Sequence, residues 1–178
     1  MDRDEIDGLV KRLGHWNGDA ILEDLSKLSS GDLADVLDCK SKLVGDTAAD
    51  ILASRDEAEL LVRRLINDKV LTVLGRVRVT NILTSMGLSA PGAIDAYVHV
   101  LDDRNDGVFS NGLFGIVFMR RRDLIPELQK RLNQTRADSS RWEMLTTAID
   151  ALAADDPSVF SPGFCDTTNV WRLDERRK

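Results

Sequence analysis

Residues that cross-link or interrupt a chain are scarce in this sequence. It contains two cysteines and four prolines, and aromatic residues make up 5% of it. One pair of cysteines, Cys39 and Cys165, is too few for a disulfide scaffold, so a reducing compartment is expected. Prolines this sparse favour long helices over a sandwich of short strands. The core is therefore expected to be helical and aliphatic.

Long apolar runs are also missing. No stretch approaches the roughly 20 apolar residues that a membrane-spanning helix requires, and the charged start Met1–Glu5 lacks the apolar core of a secretory leader. The apolar fraction of 43% and the charged fraction of 30% are typical of a soluble folded chain. We therefore predict a cytoplasmic protein without a membrane partner.

The charge balance is acidic, with a formal net charge of −6 and a sequence pI of about 5.0. This balance argues against nucleic-acid binding, which depends on neutralising phosphates with basic side chains. It favours encounter with a basic partner. The alternative is that the negative charge only keeps the protein soluble.

A pattern of apolar residues occurs twice between residues 77 and 132. Four apolar positions are each followed, 31 residues later, by another: Val77 by Val108, Leu83 by Phe114, Ile94 by Ile125 and Leu101 by Leu132. Repetition at this period indicates stacked helical units, which cannot bury their apolar faces alone.

Local signals predict helices along the rest of the chain. Capping boxes are predicted at Ser29–Asp32, Ser54–Glu57 and Ser140–Glu143. Residues 40–46 are predicted to be a connection before a short helix at 47–53. Ser89 and Asp123 are predicted to cap the starts of helices, and Gly87 is predicted to end one. Residues 69–80 are rich in β-branched side chains, which leaves a hairpin about Gly75 open, although the spacing of Val79, Ile82 and Leu83 favours a helix.

The doubled segment resembles the HEAT-like helical repeats. Asn81–Asp103 and Asn111–Asn133 are similar to that pattern, with Ala90-Pro91 and Ile125-Pro126 near the turns, although the two prolines are 35 residues apart and not 31. The likeness is clearest over residues 77–152. It implies an all-α fold, a short superhelical stack of antiparallel helix pairs, in a single domain over residues 1–178 with residues 158–178 as a C-terminal capping tail.

No motif predicts a catalytic, metal or cofactor site. The segment Gly107–Gly112 has the glycine spacing of a phosphate loop, but Leu113 and Phe114 stand where lysine and a hydroxyl should follow. Asp102–Gly107 is similar to a calcium loop, but Arg104 occupies a ligand position. Neither cysteine has a histidine or a basic cluster nearby in sequence that would lower its pKa. We predict that the protein is not an enzyme and holds no cofactor.

Two charged segments are candidate partner-binding surfaces. Asp95, His99 and either Asp102 or Asp103 share one predicted helix stripe, and Arg120-Arg121-Arg122 lies at a predicted turn. Each has an alternative interpretation as solvated surface. The predicted partner-binding residues are Asp95, His99, Asp102, Asp103, Asp106, Arg120, Arg121 and Arg122.

Together these features predict a non-catalytic protein-binding module. The sharpest hypothesis is a bacterial immunity protein or antitoxin that neutralises a basic, nuclease-type toxin by direct binding. One alternative is a regulatory or scaffold adaptor. The other is an enzyme or lyase accessory built on the repeats, with Asp95, His99 and Asp103 lining a pocket.

Overall fold

Apolar residues at helical spacing fold this chain into ten α-helices over the part that the structure describes. The structure, a computed structural model, describes residues 1–13, 18–67, 71–87 and 90–160. The helices are α1 Arg3–Leu13, α2 Gly18–Ser26, α3 Ser30–Val36, α4 Lys42–Ser54, α5 Ala58–Asn67, α6 Val73–Met86, α7 Ala93–Val100, α8 Asp106–Phe118, α9 Ile125–Gln134 and α10 Ser140–Ala154. Short 3-10 helices cover Arg122–Leu124 and Pro157–Val159.

The all-α prediction is confirmed, since no strand occurs within those ranges. The hairpin alternative is wrong for residues 71–80, because Val73 to Met86 form α6 with Thr72 as its N-cap. Residues 69 and 70 lie outside the described ranges. None of the helices in the described part of the chain is both long and apolar enough to span a membrane.

The chain divides into two compact units. The N-terminal unit is Met1–Ala93, and the C-terminal unit begins at Ile94 and is described as far as Phe160. The HEAT-like stack, the single domain and the capping tail stay predictions, since residues 161–178 lie outside the described ranges. Three of the four pairs fall on matching helices, α6 with α8 and α7 with α9, whereas Leu101 follows α7 and its counterpart Leu132 lies within α9. Burial matches less well, since Leu83 is buried and its counterpart Phe114 is half-buried.

Helix α4 is at the centre of the N-terminal unit, where it packs against α2, α3 and α6, and α5 packs against α6. The core is aliphatic, as the composition predicts. Its fully buried side chains include Leu13, Ile21, Leu25, Leu33, Leu37, Leu52, Leu61 and Leu83. Burial of each such side chain stabilises the fold by about 1.5–3 kcal/mol before the entropy of ordering is subtracted.

Helix α8 is the core of the C-terminal unit. Ten of its 13 residues are buried, and α10 packs against both α8 and α9. Two glycines allow α7 to approach closely. A Cβ on Gly112 would lie 3.0 Å from the carbonyl oxygen of Tyr97, and one on Gly115 would lie 2.5 Å from the Tyr97 ring. Tyr97 is completely buried as a result.

Arginines from elsewhere in each unit cap several helix C-termini. Arg55 donates to the carbonyl oxygens of Ser26 and Leu28 at the end of α2. Arg122 donates to the carbonyl oxygen of Leu152 in the last turn of α10. The carbonyls at and beyond the end of α2 have no following helical turn to bond to, so the guanidinium of Arg55 supplies those hydrogen bonds. The carbonyl of Leu152 accepts from Arg122 in addition to the amide of Asp155.

Two local predictions are confirmed. The side chain of Ser29 accepts a hydrogen bond from the amide of Asp32 and caps α3. Gly87 ends α6 with a φ of 61°, in the region that glycine adopts without strain. Ser89, the predicted cap of α7, lies outside the described ranges.

The predicted connection at residues 40–46 is wrong, because α4 begins at Lys42 with Ser41 as its N-cap. Helix α4 continues to Ser54, so the predicted capping box at Ser54–Glu57 is also wrong. The Ser54 hydroxyl donates to the carbonyl oxygen of Ile51 at 2.7 Å instead. A serine side chain can cap the start of a helix or donate to a carbonyl oxygen in its last turn. The packing of α4 against its neighbours decides between these roles for Ser54.

The sequence patterns place two further helix caps at the wrong residues. The N-cap of α10 is Ser139, one residue before the predicted box, and it accepts from the amide of Trp142. Asp123 does not cap α9, which begins after Leu124 without a side-chain cap. The Asp123 carboxylate is instead held by Arg121.

Candidate functional site

Helix α7 carries only half of the predicted acidic stripe. Asp95 and His99 are exposed one turn apart on this helix. The helix ends at Val100, so Asp102 and Asp103 follow in the turn. The side chains of Asp95 and His99 form no hydrogen bond or ion pair with another described residue.

The carboxylates beyond α7 are used inside the C-terminal unit. Asp102 accepts hydrogen bonds from both terminal nitrogens of Arg131 on α9, and this contact lowers the pKa of Asp102. Arg131 is also 3.0 Å from Glu127. Asp103 accepts from the amide of Asn105. These contacts order the turn between α7 and α8 and tie it to α9.

Asp106 has a similar role at the start of α8. Its carboxylate accepts from Nε of Arg141 at 2.7 Å, and the Arg141 guanidinium lies over the ring of Phe109 at 4.6 Å. A guanidinium held by both a carboxylate and an aromatic face is well ordered. Asp106 therefore links α8 to α10.

The three arginines are at a turn, as predicted, but they are paired within the unit. Arg121 donates to both carboxylate oxygens of Asp123, at 2.8 and 2.6 Å. Arg122 and Arg120 lie 3.2 and 3.7 Å from the carboxylate of Asp155. A phosphate or an acidic peptide at this turn would therefore compete with the carboxylates of Asp123 and Asp155 for the guanidinium groups.

Side chains suited to metal binding are not brought together in the part of the chain that the structure describes. Among the described residues, no three His, Cys, Asp or Glu side chains form a metal-binding cluster. Cys39 is 3% exposed, and burial raises the pKa of its thiol. His15 and Cys165 lie outside the described ranges. The accessory-enzyme alternative, with Asp95, His99 and Asp103, stays a prediction.

The predicted partner-binding residues do not include the segment that carries the net charge. Residues 1–54, which include α1 to α4, contain 12 acidic and 6 basic residues, whereas residues 55–178 contain 18 of each. The entire formal charge of −6 is therefore in residues 1–54. Helix α1 has as many basic as acidic residues, so the acidic excess is in α2 to α4. Exposed carboxylates within residues 1–54 include Asp4, Glu5, Asp7, Asp19, Glu23 and Asp50. Counting charge by segment and not over the whole chain would have found this surface from the sequence.

Two large apolar side chains are exposed on the same four helices. Leu22 of α2 is 47% exposed and Leu43 of α4 is 51% exposed. Leu22 shares the outer face of α2 with Asp19 and Glu23, opposite the buried Ile21 and Leu25. Apolar side chains among carboxylates are suited to a partner that is both apolar and basic.

An open cleft of about 430 Å³ lies along α1. It is lined by Met1, Glu5, Gly8, Leu9, Arg12 and Leu28, and we call it the Gly8 cleft. Glu5 and Asp2 form a reciprocal capping box, each side chain accepting from the other's amide at 2.7 and 2.9 Å. Glu5 is thereby fixed at one end of the cleft, and Arg12 lies two turns further along the helix.

Comparisons with known proteins do not assign a family. No protein-family model matches the chain, and neither a curated protein nor a solved structure matches it. The function is therefore argued from the charges, burial and contacts of the chain itself.

Proposed function

We propose that this protein is a non-catalytic protein-binding module that binds a basic protein partner through the acidic segment of residues 1–54, which includes α1 to α4. The observation that supports this most directly is the concentration of the whole net charge in residues 1–54. Opposite potentials on two surfaces accelerate their encounter and disfavour partners of the wrong charge.

Most of the partner-binding residues predicted in the C-terminal unit already have internal partners, which favours the N-terminal unit as the interface. Five of the eight predicted partner-binding residues are in ion pairs: Asp102, Asp106, Arg120, Arg121 and Arg122. A partner would have to replace those contacts. By contrast, Asp7 and Asp50 are exposed and form no ion pair with another described residue. They can meet a partner's cations without losing an internal contact.

The sharpest form of the proposal is an immunity protein or antitoxin. A nuclease-type toxin presents a cationic surface because it must bind phosphate groups. An acidic helical surface of this kind would compete for that surface by direct binding. The alternative is an adaptor or scaffold subunit, which would use the same surface on a basic partner that is not toxic.

The test begins with capture by the full chain from an extract of its source cells. The captured protein is then purified, and association is followed by stopped-flow fluorescence over a tenfold range of salt concentration. We expect a basic partner whose association rate falls with salt, since ions screen exposed charges. An acidic partner, or an association rate independent of salt, would refute the proposal.

The hypothesis that the protein is an immunity protein or antitoxin is tested separately. The captured partner, expressed alone, should arrest cell growth, and co-expression of this chain should restore it. A basic partner that binds tightly but does not affect growth would support the adaptor alternative instead.

A further inference from the structure

Helix α2 exposes one face to solvent. Four exposed residues follow one another along it at a spacing of one, three or four, which places them on the same side of the helix: Asp19, Leu22, Glu23 and Ser26. We call these four residues the α2 stripe. The other side of the helix is buried through Ile21 and Leu25. Leu22 is 47% exposed, so the α2 stripe is an unpartnered helix face with a leucine between two carboxylates.

Only acidic charges are present within α2. It contains three carboxylates and no basic residue. Carboxylates of the next two helices are engaged with distant parts of the fold: Asp35 of α3 is 2.7 Å from Arg64, and Asp46 of α4 is 3.2 Å from Arg78. Those carboxylates already have internal partners.

The carboxylates of the α2 stripe are more available. Asp19 forms no ion pair with another described residue. Glu23 is 3.1 Å from the ammonium group of Lys27, one turn further along, and both side chains are more than half exposed. An exposed pair of this kind contributes little to stability. A cation of another protein can therefore replace Lys27 without unfolding anything.

The backbone of α2 is fixed before any partner arrives. The Ser26 hydroxyl donates to the carbonyl oxygen of Leu22 at 2.6 Å. Arg55 donates to the carbonyl oxygens of Ser26 and Leu28 at 2.8 and 2.9 Å. A surface whose polar groups are already bonded loses little free energy through desolvation or ordering when a partner covers it.

The exposed leucine of α4 has different surroundings. Leu43 is 51% exposed, but it follows Lys42 directly, and α4 has one basic residue for its two acidic ones. The two leucines therefore expose similar apolar area among different charges. This difference makes Leu43 a matched control for Leu22.

We propose that the α2 stripe is the docking surface for a basic protein partner, with Leu22 as its apolar centre. The partner presents an apolar depression that takes Leu22, surrounded by lysine or arginine side chains that pair with Asp19 and Glu23. An apolar contact encircled by charged pairs is a common arrangement at the centre of protein interfaces. This inference rests on the proposed function and locates its interface.

Photo-cross-linking in an extract of the source cells locates the surface. The full chain carries benzoylphenylalanine in place of Ser26, which keeps Leu22 and both carboxylates, or in place of Asp50, an exposed residue of α4. We expect irradiation to attach a basic protein at position 26 and not at position 50. Asp19→Asn with Glu23→Gln should abolish the product at position 26, because its cationic side chains lose their partners.

Kinetics with the cross-linked protein, identified by mass spectrometry and purified, measure the contribution of each side chain. Leu22→Ala should raise the dissociation rate about tenfold, the change expected when one interfacial leucine is truncated. Leu43→Ala should leave that rate within about twofold of the native value. Both leucines are exposed, so the melting temperature should be the same for both variants and the native chain.

Absence of a product at position 26 overturns the assignment, and so does a dissociation rate that Leu22→Ala leaves unchanged or that Leu43→Ala raises as much. Failure of the surface differs from failure of the proposed function. A basic partner that binds the native chain and Leu22→Ala equally well rejects the α2 stripe and leaves the function in place. An acidic or neutral protein attached at position 26 rejects the function, and the inference fails with it.

Discussion

Arg78 on α6 donates a hydrogen bond to the carbonyl oxygen of Cys39, 39 residues earlier, at 2.8 Å. The same guanidinium donates to the carbonyls of Leu37 and Ser41, and its Nε is 3.2 Å from Asp46. Arg78 is only 2% exposed. It therefore closes the turn between α3 and α4 onto α6, and it supplies the hydrogen bonds that the end of α3 lacks.

Replacing Arg78 with methionine should destabilise the protein by about 3 kcal/mol or more. The reason is that several buried carbonyl oxygens and the carboxylate of Asp46 lose their donor together. Urea unfolding followed by circular dichroism measures the change. A loss below about 1 kcal/mol would show that the contact contributes little.

Gly45 should be coupled to Arg78. In the native chain Gly45→Ala should destabilise by about 1–3 kcal/mol, since its Cβ would clash with the held guanidinium. In an Arg78→Met background the same change should be almost neutral. A double-mutant cycle measures this coupling, and additive effects would refute the close contact.

Asp38 should make stability depend on pH. It accepts hydrogen bonds from the amide and hydroxyl of Thr72 at the start of α6, and burial raises the pKa of its carboxyl. A raised folded-state pKa means a contribution that is fully present at low pH and lost as pH rises through the carboxyl range, about 3 to 6. Asp38→Asn should therefore become more stable relative to the native chain as pH rises through that range.

Urea unfolding of both proteins across that pH range provides the measurement. Asp50→Asn, an exposed position on α4, is the matched control and should show little change with pH. If Asp38→Asn instead loses stability relative to the native chain as pH rises, the raised pKa of this carboxyl is contradicted.

Charge reversal on α1 and α4 should slow binding of a basic partner. Asp7→Lys with Asp50→Lys removes two exposed carboxylates that hold no ion pair with another described residue, so folding should change by less than about 0.5 kcal/mol. We expect the association rate to fall about tenfold at low salt.

The control for this experiment carries the same change of charge on the C-terminal unit. Asp95→Lys with Asp150→Lys alters two exposed carboxylates on α7 and α10. Stopped-flow association of both double variants with the captured partner decides between the surfaces. A larger loss for the α7 and α10 variant would place the interface at the residues predicted from the sequence.

The arginine turn should matter for stability and not for binding. Arg122→Met removes the donor to Leu152 at the end of α10 and should cost about 1 kcal/mol. Arg121→Ala breaks an exposed pair with Asp123 and should cost about 0.5 kcal/mol or less. Partner affinity, measured by calorimetry, should be the same for both variants and the native chain; a tenfold loss would assign the turn to the interface.

The helical class and much of the helix pattern were predictable from the sequence because they depend on neighbours within a few turns. Apolar residues three and four apart mark the faces of α1 and α5, and the all-round apolar sequence of α8 indicates its place in the core. Ser29 and Gly87 act through atoms three or four residues away. Such signals can be recognised locally.

The ends of the helices and the partners of the charged side chains could be identified only from the tertiary structure. Ser54 carries a capping pattern, but whether it begins or ends a helix depends on how far α4 continues as it packs against α2, α3 and α6. The predicted partner-binding residues were chosen as exposed charges, yet Asp102 meets Arg131 and Asp106 meets Arg141, 29 and 35 residues away. No local pattern encodes such pairs.

Composition and periodicity predict a helical, aliphatic, acidic chain, because they act through short-range propensity and total charge. Which charges are already paired, and which remain available, follows from the fold. That pairing depends on long-range contacts such as that of Arg78 with Cys39, between residues that no local pattern relates.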